Sequence, residues 1–268
     1  MKFLGFDSAI KTFAFINVDI NLDIFDELDN ILEWIYQLIK DTFGKDLLAK
    51  INIKSPTAIE ELTEMLTFEI TNEEFFEELL TIMLELDKIL SNFVKVHNNG
   101  VVDLVPEKKA IETSKVEITK AVREVLDTRE LNVDPMDTFV VIECQPNKLK
   151  LNKVNTQSVQ VSHSIAMYYA KYQFDFIDPK LKNNIALRSD LTLAAFLEKY
   201  KDNKNPKYIS RKAQSRANFE YFLDVFNKRD ILKGIKKSVY DDQADAFMQI
   251  LAYILDKKMF SSGNKILA

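Results

Sequence analysis

Apolar residues run almost unbroken from Met1 to Phe6, from Phe13 to Ile20 and from Phe139 to Ile142. Runs this short and this apolar predict strands buried on both faces. The first two, linked by the tight Lys11-Thr12 connection, are expected to pair as a hairpin. The spacing then changes from strand to helix. Ile24, Phe25, Leu28, Ile31, Leu32, Ile35, Leu38 and Ile39 recur every three or four residues, as do Phe75, Phe76, Leu79, Leu80 and Met83, so residues 21–99 read as an all-helical insertion. Ser55-Pro56-Thr57 and Thr71-Asn72-Glu73-Glu74 mark helix starts within it.

Asn98-Asn99-Gly100 reads as a turn before a third strand, Val101 to Val105. Helical spacing over Ile111 to Leu126 precedes the fourth strand, which ends in Glu143. A helix over Ser158 to Tyr172, with Met167, Tyr168 and Tyr169 inward, leads to a fifth strand at Phe174 to Ile177. Further helices are expected over Leu191 to Tyr200, after Lys212 with Phe219, Phe222 and Leu223 on one side, and over Asp241 to Lys257. Trp34 is assigned to a core and His163 to structure, rather than to chemistry.

Composition adds limits rather than an identity. The chain has 268 residues, 47% hydrophobic and 29% charged, enough core for one domain or two. A single cysteine, Cys144, excludes an internal disulfide and, with no signal pattern at the start, points to a reducing intracellular compartment. No apolar stretch has the length of a membrane span, and two histidines leave little for a zinc site.

Charge is more informative by segment than in total. The net charge is −5, yet residues 21–99 carry 17 acidic against 6 basic side chains, and residues 147–237 carry 19 basic against 8 acidic. The second balance is the footprint of a phosphate-backbone binder, although a solvated lysine-rich surface would look the same. The acidity of 21–99 disfavours DNA contact. That segment is expected to be a protein-docking, dimer-support or guard module, or a stabilising insertion with no role of its own.

Candidate chemistry lies in three places. Asp242 and Asp245 are three apart at the start of the last predicted helix, on one face and within reach of one cation; an acidic helix start favoured by the helix dipole is the alternative. Asp7 and Glu143 end buried strands, where a carboxylate must be paired, protonated or metal-bound. Carboxylates without His or Cys suit Mg²⁺ or Mn²⁺, and two such ions are the usual apparatus of phosphodiester hydrolysis.

The set Asp7-Ser8-Ala9-Ile10-Lys11, Ile142-Glu143-Cys144-Gln145-Pro146, Arg211-Lys212 with Ser215, and Asp241-Asp242-Gln243-Ala244-Asp245 resembles the poxvirus-type branch of the RuvC family of Holliday junction resolvases. The likeness is closest from Tyr208 to Lys257 and does not cover the insertion. It implies an α/β fold: an RNase H-like mixed five-stranded sheet flanked by helices, formed by residues 1–20 and 100–268. It implies a homodimeric endonuclease that cuts four-way DNA junctions with two Mg²⁺ ions, Mn²⁺ substituting, held by Asp7, Glu143, Asp242 and Asp245. One ion would acidify the attacking water and the other would stabilise the leaving 3′ oxygen.

By the same likeness Lys212, thirty residues before Asp242, has a catalytic role. Lys11, Gln145, Lys148, Lys150, Lys153, Lys207, Arg211 and Arg216 are assigned to the DNA backbone. Such a protein, if viral, would work in the cytoplasm of the infected cell. Two other readings share part of this evidence: an RNase H-like nuclease for hybrids or forks, and a non-catalytic junction-binding scaffold. An actin-like phosphotransferase needs glycine-rich loops, which five unclustered glycines do not supply.

Overall fold

The structure, a computed structural model, describes residues 1–43, 73–107, 109–129, 131, 137–145, 156–226, 228–232, 236 and 239–257. They form two compact units, Met1–Ile20 with Val94–Lys257 and Asn21–Phe93. The first unit is α/β and holds a mixed five-stranded sheet. Its strands are β1 (Lys2–Asp7), β2 (Phe13–Ile20), β3 (Val94–Val102), β4 (Thr138–Glu143) and β5 (Gln173–Ile177). They lie in the order β3-β2-β1-β4-β5. β2 is antiparallel to β1 and β3, while β4 is parallel to β1 and β5.

Side chains alternate across a strand, and helices cover the two faces of this sheet, which is why its central strands read as continuous apolar runs. Leu4, Phe6, Phe13, Phe15, Val140 and Ile142 pack with Ile118, Val122 and Leu126 of α3 (Lys115–Thr128) and Val161 and Ile165 of α4 (Thr156–Tyr168). The start of α3 is fixed by a capping box: Ser114 Oγ accepts from Glu117 N, and Glu117 returns a bond to the Ser114 N–H. On the opposite face lies α7 (Tyr240–Asp256), buried on almost every side from Gln243 to Ile254.

Gly5 makes the approach of α7 possible. A Cβ there would meet the Ala246 carbonyl oxygen at 2.6 Å and Ile250 Cγ1 at 2.8 Å. Gln243 Nε2 also donates to the Phe15 carbonyl at 3.1 Å, tying α7 to β2. Outside α7 runs α6 (Pro206–Val225), joined to it by Phe219 and Phe222 against Phe247, with ring centroids 5.2 and 4.6 Å apart. The short helix α5 (Leu193–Lys199), capped by Thr192, precedes α6.

The helical unit contains α1 (Ile24–Phe43) and α2 (Glu73–Ser91), which bury Ile31, Leu38, Phe75 and Ile82 between them. The predicted starts at Ser55-Pro56-Thr57 and Thr71-Asn72 lie outside the described residues. Trp34 was expected in a core, but it is 38% exposed and donates Nε1–H to Glu78.

Two other expectations differ from the structure. Asn98-Asn99-Gly100 is no turn: it lies within β3, which begins at Val94 and bulges at His97, where Asn17 pairs with Asn98 and Val18 with Val96. Asn98 and Asn99 there donate their amides to Arg129 and Ile231 carbonyls, and Gly100 leaves room for the Phe15 ring. Met167 faces solvent at 76% exposure, whereas Tyr169 is buried and donates to the Leu131 carbonyl. Among the described residues no helix is long and apolar enough to cross a membrane.

Candidate active site

The parallel register brings the first two carboxylates together. Phe6 pairs with Ile142, so one further step along β1 and β4 sets Asp7 beside Glu143. Alternation puts Asp7 on the same face as Gly5, the face that α7 covers. With Ala246 over Gly5, the first turns of α7 lie at the Asp7 end of β1, and those turns carry Asp242 and Asp245. Acidic side chains from three distant segments thus lie toward one end of the sheet, where Asp7 feels the charges of Glu143 and Asp245 and Lys212 joins Asp245 to Asp242. Asp7 and Asp245 are buried and Glu143 is half-buried.

On α6, Lys212, Ser215, Phe219 and Phe222 are spaced by three or four and share the face turned to α7. The aromatic end packs on Phe247. The polar end reaches the aspartates: Lys212 Nζ is 3.1 Å from Asp242 Oδ1 and 2.7 Å from Asp245 Oδ2. A second ammonium, Lys182, lies 3.0 Å from the same Asp245 oxygen, and its side chain is 10% exposed. Sequence reading missed Lys182. It sits in a 3₁₀ turn, Leu181–Asn184, with no motif around it, and only its burial beside acids marks it out.

The electrostatics divide the acids. Burial, then the charges of Glu143 and Asp245, push the Asp7 carboxyl well above the usual carboxylate range. Burial also opposes ionisation of Asp245, but Lys182 and Lys212 outweigh it and hold that carboxyl below its ordinary value. Both lysines are held protonated in spite of burial, Lys212 mainly by Asp245 and Asp7 and Lys182 mainly by Asp245 and Glu143. Ser215, beside Asp245, adds to the lowering. Ser215 Oγ and Asp245 Oδ1 are both buried without a partner among the described residues, as is Ser8 Oγ.

The other assigned positions fall in different places. Gln145 Nε2 donates to Glu143 Oε2 at 2.9 Å, so Gln145 belongs to the acidic cluster. Lys207 and Arg211 are exposed on the first turns of α6, within a turn or so of Lys212. Arg216 pairs with Asp241, which takes Asp241 out of the cluster. Lys11 reaches Asp103 at 3.0 Å and the Val105 carbonyl at 2.6 Å. Lys148, Lys150 and Lys153 lie outside the described residues. His163, on the outer side of α4, meets the edge of Phe176.

Asp7, Glu143, Asp242 and Asp245 could hold a hard cation through oxygen. Among the described residues, no three His, Cys, Asp or Glu side chains converge at metal-binding spacing. The α7 oxygens are instead held by the two ammoniums, and four carboxylates still outnumber them. Comparison with protein-family models, with curated proteins and with solved structures found no match.

Proposed function

We propose that the chain is an RNase H-like endonuclease that resolves four-way DNA junctions by metal-assisted phosphodiester hydrolysis. One observation carries the reading: Asp7 and Glu143, at neighbouring strand ends, face the end of the sheet where α7 begins, and Lys212 bonds both Asp242 and Asp245 there. The strand order, with β2 antiparallel to β1 and β3 and with β4 parallel to β1 and β5, is the layout expected of that fold.

The donor chemistry suits divalent ions, although no three of these side chains stand at metal-binding spacing among the described residues. The donor set is all oxygen, as Mg²⁺ and Mn²⁺ prefer, and Asp245 offers a buried oxygen without a partner. Burial and the neighbouring carboxylates raise the pKa of Asp7, and an ion would counter that shift. When bound, two Mg²⁺ ions would supply Lewis acidity, lowering the pKa of an attacking water and stabilising the leaving 3′ oxygen. Asp7, Glu143, Asp242 and Asp245 would hold them.

The protein's own contribution is order and charge. Lys212 fixes the orientation of both α7 carboxylates and offers a cation to a phosphate oxygen as charge builds on it. Gln145 orients Glu143. Lys207 and Arg211 extend the basic surface from this point along α6, suited to salt-sensitive contacts with a phosphate backbone. A homodimer would place two such sites on the paired strands of one junction, and the acidic helical unit would serve a protein partner rather than DNA.

Cleavage of a labelled mobile four-way junction with Mg²⁺, beside Asp242→Asn, tests the proposal. Paired nicks with 5′-phosphate and 3′-hydroxyl ends are expected from the parent, and binding without cutting from the variant. Equal activity of the two would remove Asp242 from the mechanism. Preference for an RNA–DNA hybrid would favour the hybrid nuclease, and binding with no cleavage of any substrate would favour the scaffold.

A further inference from the structure

Lys182 is an unusual tenant of its position. Burying an ammonium is costly unless it is paired, yet the chain stations this one at 10% exposure on Asp245 Oδ2. The segment carrying it is fastened to α6 by two buried amides. Gln214 Nε2 donates to the Asn183 and Ile185 carbonyls, each at 3.1 Å. Asn218 Oδ1 accepts from Leu187 N at 2.7 Å, and its Nδ2 donates to the Leu191 carbonyl at 3.1 Å. Gln214 and Asn218 are almost wholly buried, so the loop after β5 is held in register with α6. That register delivers Lys182 to the acid that Lys212 also bonds, from a different element.

We propose that Lys182 is a positioning residue that stands as a resident counter-ion in the acidic cluster and competes with divalent cations for Asp245, so that its charge sets how tightly metal is held. The inference rests on the metal reading of the site. Lys212 and Lys182 share one oxygen of Asp245, Oδ2. A divalent ion reaching Asp245 meets the repulsion of both ammoniums. Without such an ion, Lys182 offsets the mutual repulsion of Asp245, Glu143 and Asp7. A merely structural lysine predicts weaker metal binding on its removal. A competing counter-ion predicts the reverse.

The test uses the full chain and Mn²⁺ alone, with free Mn²⁺ followed by electron paramagnetic resonance and melting followed in EDTA. Lys182→Met is expected to bind Mn²⁺ about tenfold more tightly, since a unit charge a few ångströms from the ion is removed, and to melt lower than the parent in EDTA. Lys182→Arg, which keeps the charge, is expected to stay with the parent in affinity. Lys182→Gln carries the same expectation as Lys182→Met and decides the matter if that variant does not fold. If the parent binds no Mn²⁺, the metal reading fails and this inference with it. If the parent binds and neither neutral variant binds more tightly, this inference alone is overturned.

Discussion

Substituting Gly5 by alanine tests the link between the packing of α7 and the assembly of the acidic cluster. The new Cβ would lie 2.6 Å from the Ala246 carbonyl oxygen and 2.8 and 2.9 Å from Ile250 Cγ1 and Cδ1. Carbon atoms in contact prefer roughly 3.5–4.0 Å, so helix and strand must part by up to about 1 Å. Overpacking of a core costs about 1–3 kcal/mol. The upper end applies here, because the Ala246 oxygen is helix backbone and cannot rotate aside. For a domain of this size, about 3 kcal/mol lowers the melting temperature by roughly 6–12 °C. The same movement carries Asp242 and Asp245 away from Asp7, so stabilisation by saturating Mg²⁺ should shrink in Gly5→Ala. Circular dichroism melts in EDTA and in Mg²⁺ read both effects. Gly100→Ala is the control: the nearest atoms its Cβ would meet belong to the Phe15 side chain rather than to helix backbone. Parent-like melting of Gly5→Ala, with the full Mg²⁺ response, would refute this account of how the site is assembled.

The elevated pKa of Asp7 has a definite sign in stability. Its contribution is present in full below the ordinary carboxylate pKa and is lost as pH rises through the elevated value. Metal-free protein should therefore lose stability as pH climbs from acid to neutral, and Asp7→Asn should flatten that loss; urea titrations in EDTA between about pH 4 and pH 8 check it. Asp245 has the opposite sign in a lower window, losing its contribution as pH falls through its depressed value. Lys212→Ala should cut cleavage of a four-way junction by about 10²–10³-fold, the usual scale for losing one preorganised charge, with junction binding retained in a gel-shift assay. Ser114→Ala removes the capping box of α3 and should cost about 1 kcal/mol in denaturant melts, leaving cleavage unchanged.

The strand-end acids were legible because an apolar run closed by a carboxylate is a local pattern. Their coming together was expected from the resemblance alone, because no local pattern records the parallel pairing of β1 with β4 or the room that Gly5 gives α7. β3 was misread at its start because Lys95, His97, Asn98 and Asn99 are polar and Gly100 mimics a turn. As the edge strand it needs only one covered side, and the glycine serves the Phe15 ring. Met167 was assigned inward with its helix and Trp34 by residue type, but each is exposed, at 76% and 38%. Lys182 was invisible for a different reason. Two amides far along the chain, Gln214 and Asn218, fix its loop, and no local signal records such a tie.

The sharpest check is where divalent ions go. Crystals of the full chain soaked in Mn²⁺ would show them by anomalous scattering. Peaks bounded by oxygens of Asp7, Glu143, Asp242 and Asp245, with Lys182 drawn off Asp245, are what this account predicts. Strong Mn²⁺ peaks elsewhere, or a saturated soak with none among these four side chains, would contradict it.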